Sequence, residues 1–263
     1  MATVAQDSGA FSIGPVLSRA FETLRDNPLA TLGVAFLFGA LPQSLASYAI
    51  LAERAGAGPA DSWTTALMGL FGPLIFLLFS MLVQGALTRA TISYASGQRA
   101  SFAQCVGTGF AFLLPLLGMT ILLGLGLMVG FLVFLVPGII LFLMWSVAGP
   151  ALVAERSGVI AAFGRSRALT KGARWKIFGL MLLILVLVWI FSAVIGAVTV
   201  AGDFMAQTEA MARGTLPTSF LIFSALSNTI IIAFWSTVQA SLYLSLSQWK
   251  DGPDTRALAE MFA

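Results

Sequence analysis

An all-α polytopic membrane protein with six transmembrane helices is the architecture this sequence dictates, and three observations carry that reading. Hydrophobic residues fill 59% of the 263 positions and charged residues only 10%, whereas a soluble domain carries about 25% charged residues. The apolar residues gather into charge-free windows of about 20 or more, long enough to cross hydrocarbon. The Lys and Arg residues sort to one side of those windows. With a mean hydropathy of +0.95, most of the chain must find its solvent in lipid.

The windows place spans near 29–51, 64–88, 110–134, 138–154, 177–201 and 218–244, within one integral membrane domain covering 1–263. The first apolar run starts near Pro28 and is too long for a signal-peptide core, so it reads as an uncleaved first span. Ala100 to Ala154 holds no charge and is long enough for two spans. Pro137 and Gly138, in "FLVPGII", are expected to end one helix and turn tightly into the next. Pro42, Pro115 and Pro150 are expected to kink their helices.

An even number of spans puts both ends of the chain on one side. That side receives Arg19, Arg25, Arg89, Arg99, Arg156, Arg165, Arg167, Lys171, Arg174, Lys176, Lys250 and Arg256, and the other only Arg54 and Arg213. The positive-inside rule makes the first side cytoplasmic, so both termini are expected in the cytoplasm.

Ahead of the first span, Ile13, Val16, Leu17, Ala20, Phe21 and Leu24 recur at helical spacing, with Arg19, Glu22, Arg25 and Asp26 on the other face. Residues 12–27 therefore read as an amphipathic helix in the cytoplasmic interface, started by Pro15. "SFAQCVGTGFAF" and "SGVIAAFGRSRALTKG" hold equivalent places ahead of the third and fifth spans. The pattern suggests a threefold internal repeat of one interfacial helix and one transmembrane hairpin, the middle unit matching least well. The tail 249–263 carries a short amphipathic pattern from Thr255 to Phe262.

Chemistry is sparse. There is no histidine and a single cysteine, Cys105, which excludes an intramolecular disulfide and a cysteine metal cluster. No span carries a charged residue in its middle, which argues against a proton-coupled transporter. No phosphate-binding glycine loop and no nucleophile–base constellation is present, so no enzyme activity and no cofactor are expected. The pI near 9.4 comes with a net charge of only +3. Its cations flank apolar runs, which points to membrane rather than nucleic acid. The polar residues within spans are Gln43, Gln84, Asn228 and Gln239. They read either as interhelical hydrogen bonds or as a patch lining a path for a head group. Gly126 and Gly130, like Ser192 and Gly196, have the small-xxx-small spacing of close helix packing, here expected within the monomer.

The densest charge lies in "GRSRALTKGARWKIFGLMLL", where Arg165, Arg167, Lys171, Arg174 and Lys176 precede a long apolar run. If Ser166 to Lys176 is one helix, Arg167, Lys171 and Arg174 share a face, although Gly172 would interrupt it. Leu169 and Trp175 would anchor the segment at headgroup level. The run reads either as an orientation signal or as a cradle for anionic phospholipid head groups, shared with the first interfacial helix.

"VPGIILFLMWSVAGPALVAERSG" followed by "AFGRSRALTKGARWKIFGL" resembles the bacterial glycerophosphoryl diester phosphodiesterase membrane-domain-like proteins and the similar YciC-type inner-membrane proteins. The resemblance rests on Pro137-Gly138, Pro150, Glu155, Ser166-Arg167, Leu169-Thr170-Lys171-Gly172 and Trp175. The opening "FSIGPVLSRAFETLRDNP" and the closing "YLSLSQWKDGPDTRALAEMF" extend it. It implies a six-helix protein of the bacterial cytoplasmic membrane. The phosphodiesterase activity of the family's name is not implied, since no histidine is available for that chemistry. The expected function is therefore non-enzymatic: interaction with anionic phospholipid, or support of envelope homeostasis. The alternatives are a permease or channel for a small or amphiphilic solute, and an assembly scaffold whose partner is another membrane protein.

Overall fold

A computed structural model describes residues 11–54, 62–202, 208–209 and 218–252; Arg213 and the tail beyond Gly252 lie outside the described residues. The described residues form helices and no strands. Among the described residues six helical stretches are long and apolar enough to cross a membrane: Pro28–Tyr48, Gly69–Ala95, Leu113–Val133, Leu135–Glu155, Arg174–Thr199 and Leu221–Asp251.

Helix α1, Gly14–Asp26, starts with Pro15 in its first turn and ends at Asn27. Asn27 leaves the helical region, and its side-chain amide donates to the Ala100 carbonyl at 2.9 Å. Pro28 then opens α2, Pro28–Ala35, where its missing N–H costs nothing. The apolar stripe of α1 is not spent on lipid alone. Val16, Ala20 and Thr23 are fully buried in the protein, and Val16 and Ala20 share a core cluster with Leu242 and Leu246. The Arg19 guanidinium donates to Ser245 Oγ at 3.3 Å and Gln248 Oε1 at 3.0 Å, tying α1 to the last helix.

Just ahead of Pro42 the helix changes its hydrogen-bond spacing. Phe36–Ala40 is a π-turn between α2 and α3, Leu41–Arg54. A proline removes one ladder hydrogen bond and its ring presses on the carbonyl four residues back. The wider turn just ahead of Pro42 accommodates that ring, and such turns recur at functional positions. Helix α4, Ser62–Ala95, follows.

Helix α5, Phe102–Ala111, begins with a capping box: Ser101 Oγ accepts from the Gln104 N–H at 3.2 Å, and Gln104 Oε1 accepts from the Ser101 N–H at 3.1 Å. It packs against α4 and buries Cys105 completely. Burial pushes the Cys105 thiol up to about 11, with Arg89 pulling the other way. At pH 8 a thiol of that pKa is about one part in a thousand thiolate, against about a quarter for an ordinary cysteine. The native protein in mild detergent is therefore expected to resist maleimide at pH 8 and to label promptly once unfolded in SDS. Rapid labelling of the native form would contradict this packing.

Helix α6, Leu113–Val133, runs to Phe134, the single extended residue before α7, Leu135–Met144. The turn thus falls three residues earlier than expected. Pro137 does not end the third span; it sits in the first turn of the fourth, where its fixed φ fits and no N–H is required. The small-residue spacing at Gly126 and Gly130 is used within the chain. A Cβ at Gly126 would fall 2.6 Å from the Trp145 ring, and one at Gly130 would fall 2.7 Å from the Leu141 side chain. Gly196 faces open space.

The fourth span is discontinuous. After α7 the backbone turns at Trp145–Val147 and restarts as α8, Ala148–Glu155, so the break precedes Pro150 rather than centring on it. Of the irregular residues, Val147 is buried and Trp145 and Ser146 are half-buried and line the interior of the bundle, where irregular backbone at membrane depth is tolerated. Helix α8 ends at Arg156, whose φ of 50° is left-handed. Helix α9, Val159–Thr170, is followed by a turn at Gly172 (φ 90°) and by α10, Arg174–Gly202. The last helix among the described residues, α11, is Thr218–Asp251. Its contacts with α1, α4, α8, α9 and α10 make it the shared post of the bundle.

Candidate functional site

The basic segment is not one helix. Lys171 is extended and Gly172 left-handed, so Arg167 lies on α9, Lys171 in the turn and Arg174 at the start of α10. The shared helical face expected for these three residues does not form, because Gly172 takes a conformation that ends the helix. Leu169 is fully buried in the core instead of lying at headgroup level, whereas Trp175 is 85% exposed. Helix α1 packs on α11, α2 and α4, while α9 packs on α8, α11, α6 and α7; α11 is the element they share.

The five cations divide by partner. The Arg165 Nε–H donates to Glu155 Oε1 at 2.6 Å, and its terminal nitrogens donate to both oxygens of Asp251. Tyr243 Oη donates to the same Glu155 oxygen at 2.8 Å, and Ser247 Oγ donates to Asp251 Oδ2 at 3.1 Å. Arg165 is thereby a clamp joining α8, α9 and α11. Hydrogen bonding to Asp251 and then Glu155 outweighs burial and raises its guanidinium above the ordinary value. Lys176 Nζ donates to the Phe11 carbonyl at 2.7 Å. Arg167, Lys171 and Arg174 have no ion-pair or hydrogen-bond partner among the described residues, and Arg174 Nε is buried without one. Residue counting along the sequence ranked all five alike; it had no means of seeing that Glu155 and Asp251 converge on Arg165 from distant helices.

A second feature lies inside the bundle. A cavity of about 440 Å³ opens where the six membrane-length stretches converge. The π-turn contributes Phe38 and Gly39, α4 contributes Ser80 and Gln84, and α6 contributes Thr120. The broken fourth span contributes Trp145, Ser146 and Gly149, α10 contributes Met181, and α11 contributes Trp235, Ser236 and Gln239. Gln84 Nε2 donates to Gln239 Oε1 at 3.2 Å. Of the two readings the sequence offers for these glutamines, the interhelical hydrogen bond is the one that forms, and both residues also line the cavity. Each is half-buried between fully buried neighbours (Val83 and Gly85; Val238 and Ala240), so the surface each retains faces the cavity. Gly149 makes room for the pair, since a Cβ there would collide with Gln84 Nε2. No charged side chain among the described residues lines the cavity. Among the described residues no three His, Cys, Asp or Glu side chains gather as metal ligands would.

Fold and cavity define the class: an all-α, multi-pass membrane protein with a neutral chamber among its membrane-length helices. No family model matches the chain, and the searches of curated proteins and of solved structures likewise give no match.

Proposed function

We propose that this chain is a non-enzymatic protein of the bacterial cytoplasmic membrane that engages anionic phospholipid head groups in support of envelope homeostasis. In this reading both termini are cytoplasmic, and membership of the membrane-domain-like family that the sequence resembles is part of the proposal. The observation that carries it is a set of three cations, Arg167, Lys171 and Arg174, that have no partner among the described residues and lie beside the exposed indole of Trp175. A cation that the fold leaves unpaired beside an interfacial tryptophan is available to a phosphate. Arg165 and Lys176 are already committed and belong to the scaffold of the site.

Each such cation contributes about 1 kcal/mol toward an anionic surface. Replacing Arg167, Lys171 and Arg174 together by Gln is expected to lower the retention of phosphatidylglycerol or cardiolipin about a hundredfold, read by native mass spectrometry. Unchanged retention would defeat the proposal. A second reading, a permease for a small or amphiphilic solute, is favoured by the central cavity alone. Counterflow of candidate solutes in proteoliposomes tests it.

A further inference from the structure

We propose that the central cavity is a binding site for an uncharged, hydroxyl-bearing amphiphile of the monoacylglycerol kind, separate from the cationic surface and independent of it. Three properties of the cavity carry the inference.

The first is size and access. About 440 Å³ lies within the range of roughly 300–1,000 Å³ typical of small-molecule sites. Phe76 and Phe142 line the cavity yet keep 44% and 39% of their surface exposed, which marks an open rim. The second is position. Helices rise about 1.5 Å per residue, so Gln239 lies roughly 18 Å along α11 from Asp251, and Gln84 roughly 16 Å along α4 from Ala95. Both side chains sit near the middle of membrane-length helices, where lipid chains supply the ligands.

The third is chemistry. The walls are aromatic and aliphatic except for the two amides and the hydroxyls of Ser80, Thr120, Ser146 and Ser236. Ser80 and Ser146 donate to the Leu77 and Leu143 carbonyls, at 2.8 and 2.9 Å, and Thr120 donates to Met81 Sδ at 3.0 Å. The amide pair is satisfied on one side only. Its single internal bond uses one N–H of Gln84 and one lone pair of Gln239. That leaves the Gln84 oxygen as an acceptor and the Gln239 nitrogen as a donor. A hydroxyl beside an ester carbonyl complements both. A carboxylate or phosphate would be buried without a counter-charge, at a large desolvation cost. The π-turn and the broken fourth span, both irregular backbone at membrane depth, supply part of the wall, where such irregularity is tolerated because it lines a cavity.

The test uses the full chain in nanodiscs with three photoactivatable, alkyne-tagged probes of equal chain length: a monoacylglycerol, the free fatty acid and a lysophosphatidylglycerol. The monoacylglycerol is expected to label peptides spanning Phe76–Gln84 and Ile231–Gln239 at least fivefold more than either anionic probe. Gln84→Leu with Gln239→Leu is expected to remove that labelling while phosphatidylglycerol retention at the basic segment stays unchanged. Gly149→Ala, which displaces the Gln84 amide and leaves both glutamines present, gives a second variant with the same expected loss. Equal labelling by the anionic probes, labelling confined to outward-facing helix surfaces, or labelling insensitive to both variants would overturn the assignment in favour of a water-filled void. Loss of anionic-lipid retention in the Arg167, Lys171 and Arg174 variant bears on the head-group proposal alone.

Discussion

Replacing Ser166 by Ala and Thr170 by Val in the same chain is expected to destabilise the protein by about 2–4 kcal/mol, more than the sum of the two single changes. The reason lies in the break of the fourth span. An uninterrupted helix would pair the Met144 carbonyl with the Ala148 N–H, but that N–H turns to the Trp145 carbonyl at 3.1 Å. The Met144 carbonyl is instead met by Ser166 Oγ at 2.8 Å and Thr170 Oγ1 at 3.3 Å, from two fully buried residues one turn apart on α9. An unpaired backbone carbonyl at that depth costs about 1–3 kcal/mol in a protein interior and more in hydrocarbon.

Thr170 has one hydroxyl hydrogen and a closer acceptor in the Ser166 carbonyl at 2.9 Å. In Ser166→Ala it can turn to Met144, which limits the loss to about 1 kcal/mol; Thr170→Val alone leaves the Ser166 bond in place and costs about as much. Only the double variant leaves the carbonyl bare. Valine is nearly isosteric with threonine, so the loss reports hydrogen bonding rather than packing. Thermal unfolding in detergent, run as a double-mutant cycle, measures the coupling. Strict additivity would show that the two hydroxyls do not share this acceptor.

This capping also explains what the sequence could and could not disclose. The spans were legible because charge-free windows of sufficient length have one physical outcome in lipid, and the described residues hold six apolar helices of membrane-crossing length. The Gly126 and Gly130 spacing was legible for the same kind of reason: two missing side chains on one helix face leave a slot, and Trp145 and Leu141 fill it. Local rules decided less well between competing local outcomes. Pro137 starts a helix where the sequence pattern suggests a stop, because proline suits both sides of a helix boundary and only Phe134's extended backbone fixes which.

The basic segment was legible as charge and illegible as a site. Arg165 and Arg167 differ by two positions, yet one is clamped by Glu155 and Asp251 and the other has no partner among the described residues. That difference is made by residues 10 and 86 positions away. Gln84 and Gln239 stand out in the sequence as polar residues among apolar ones, but their pairing across 155 positions and the space beside them depend on Gly149, whose role no periodicity announces.

Gly109→Ala is expected to cost at least about 2 kcal/mol, whereas Gly107→Ala, two residues away on the same helix, is expected to be neutral or to stabilise by up to about 1 kcal/mol. Alanine is the better helix former at both positions, so propensity predicts the same sign for both. Packing separates them. A Cβ at Gly107 would meet nothing within 4 Å, whereas one at Gly109 would stand 2.5 Å from the Leu82 carbonyl oxygen and 3.1 Å from the Leu82 side chain. Gly85 on α4 faces Gly109 across the same contact, its own Cβ position lying 3.1 Å from the Gly109 Cα. A backbone carbonyl cannot rotate aside as a side-chain tip can, so α4 and α5 must separate to admit the methyl group. That separation loosens the wall around Cys105 and shifts the helix that carries Gln84. The Gly109→Ala protein is therefore expected to show a lower thermal midpoint and faster native-state maleimide labelling of Cys105, with Gly107→Ala matching the parent in both. Equal behaviour of the two variants would mean that α4 and α5 are not in this contact.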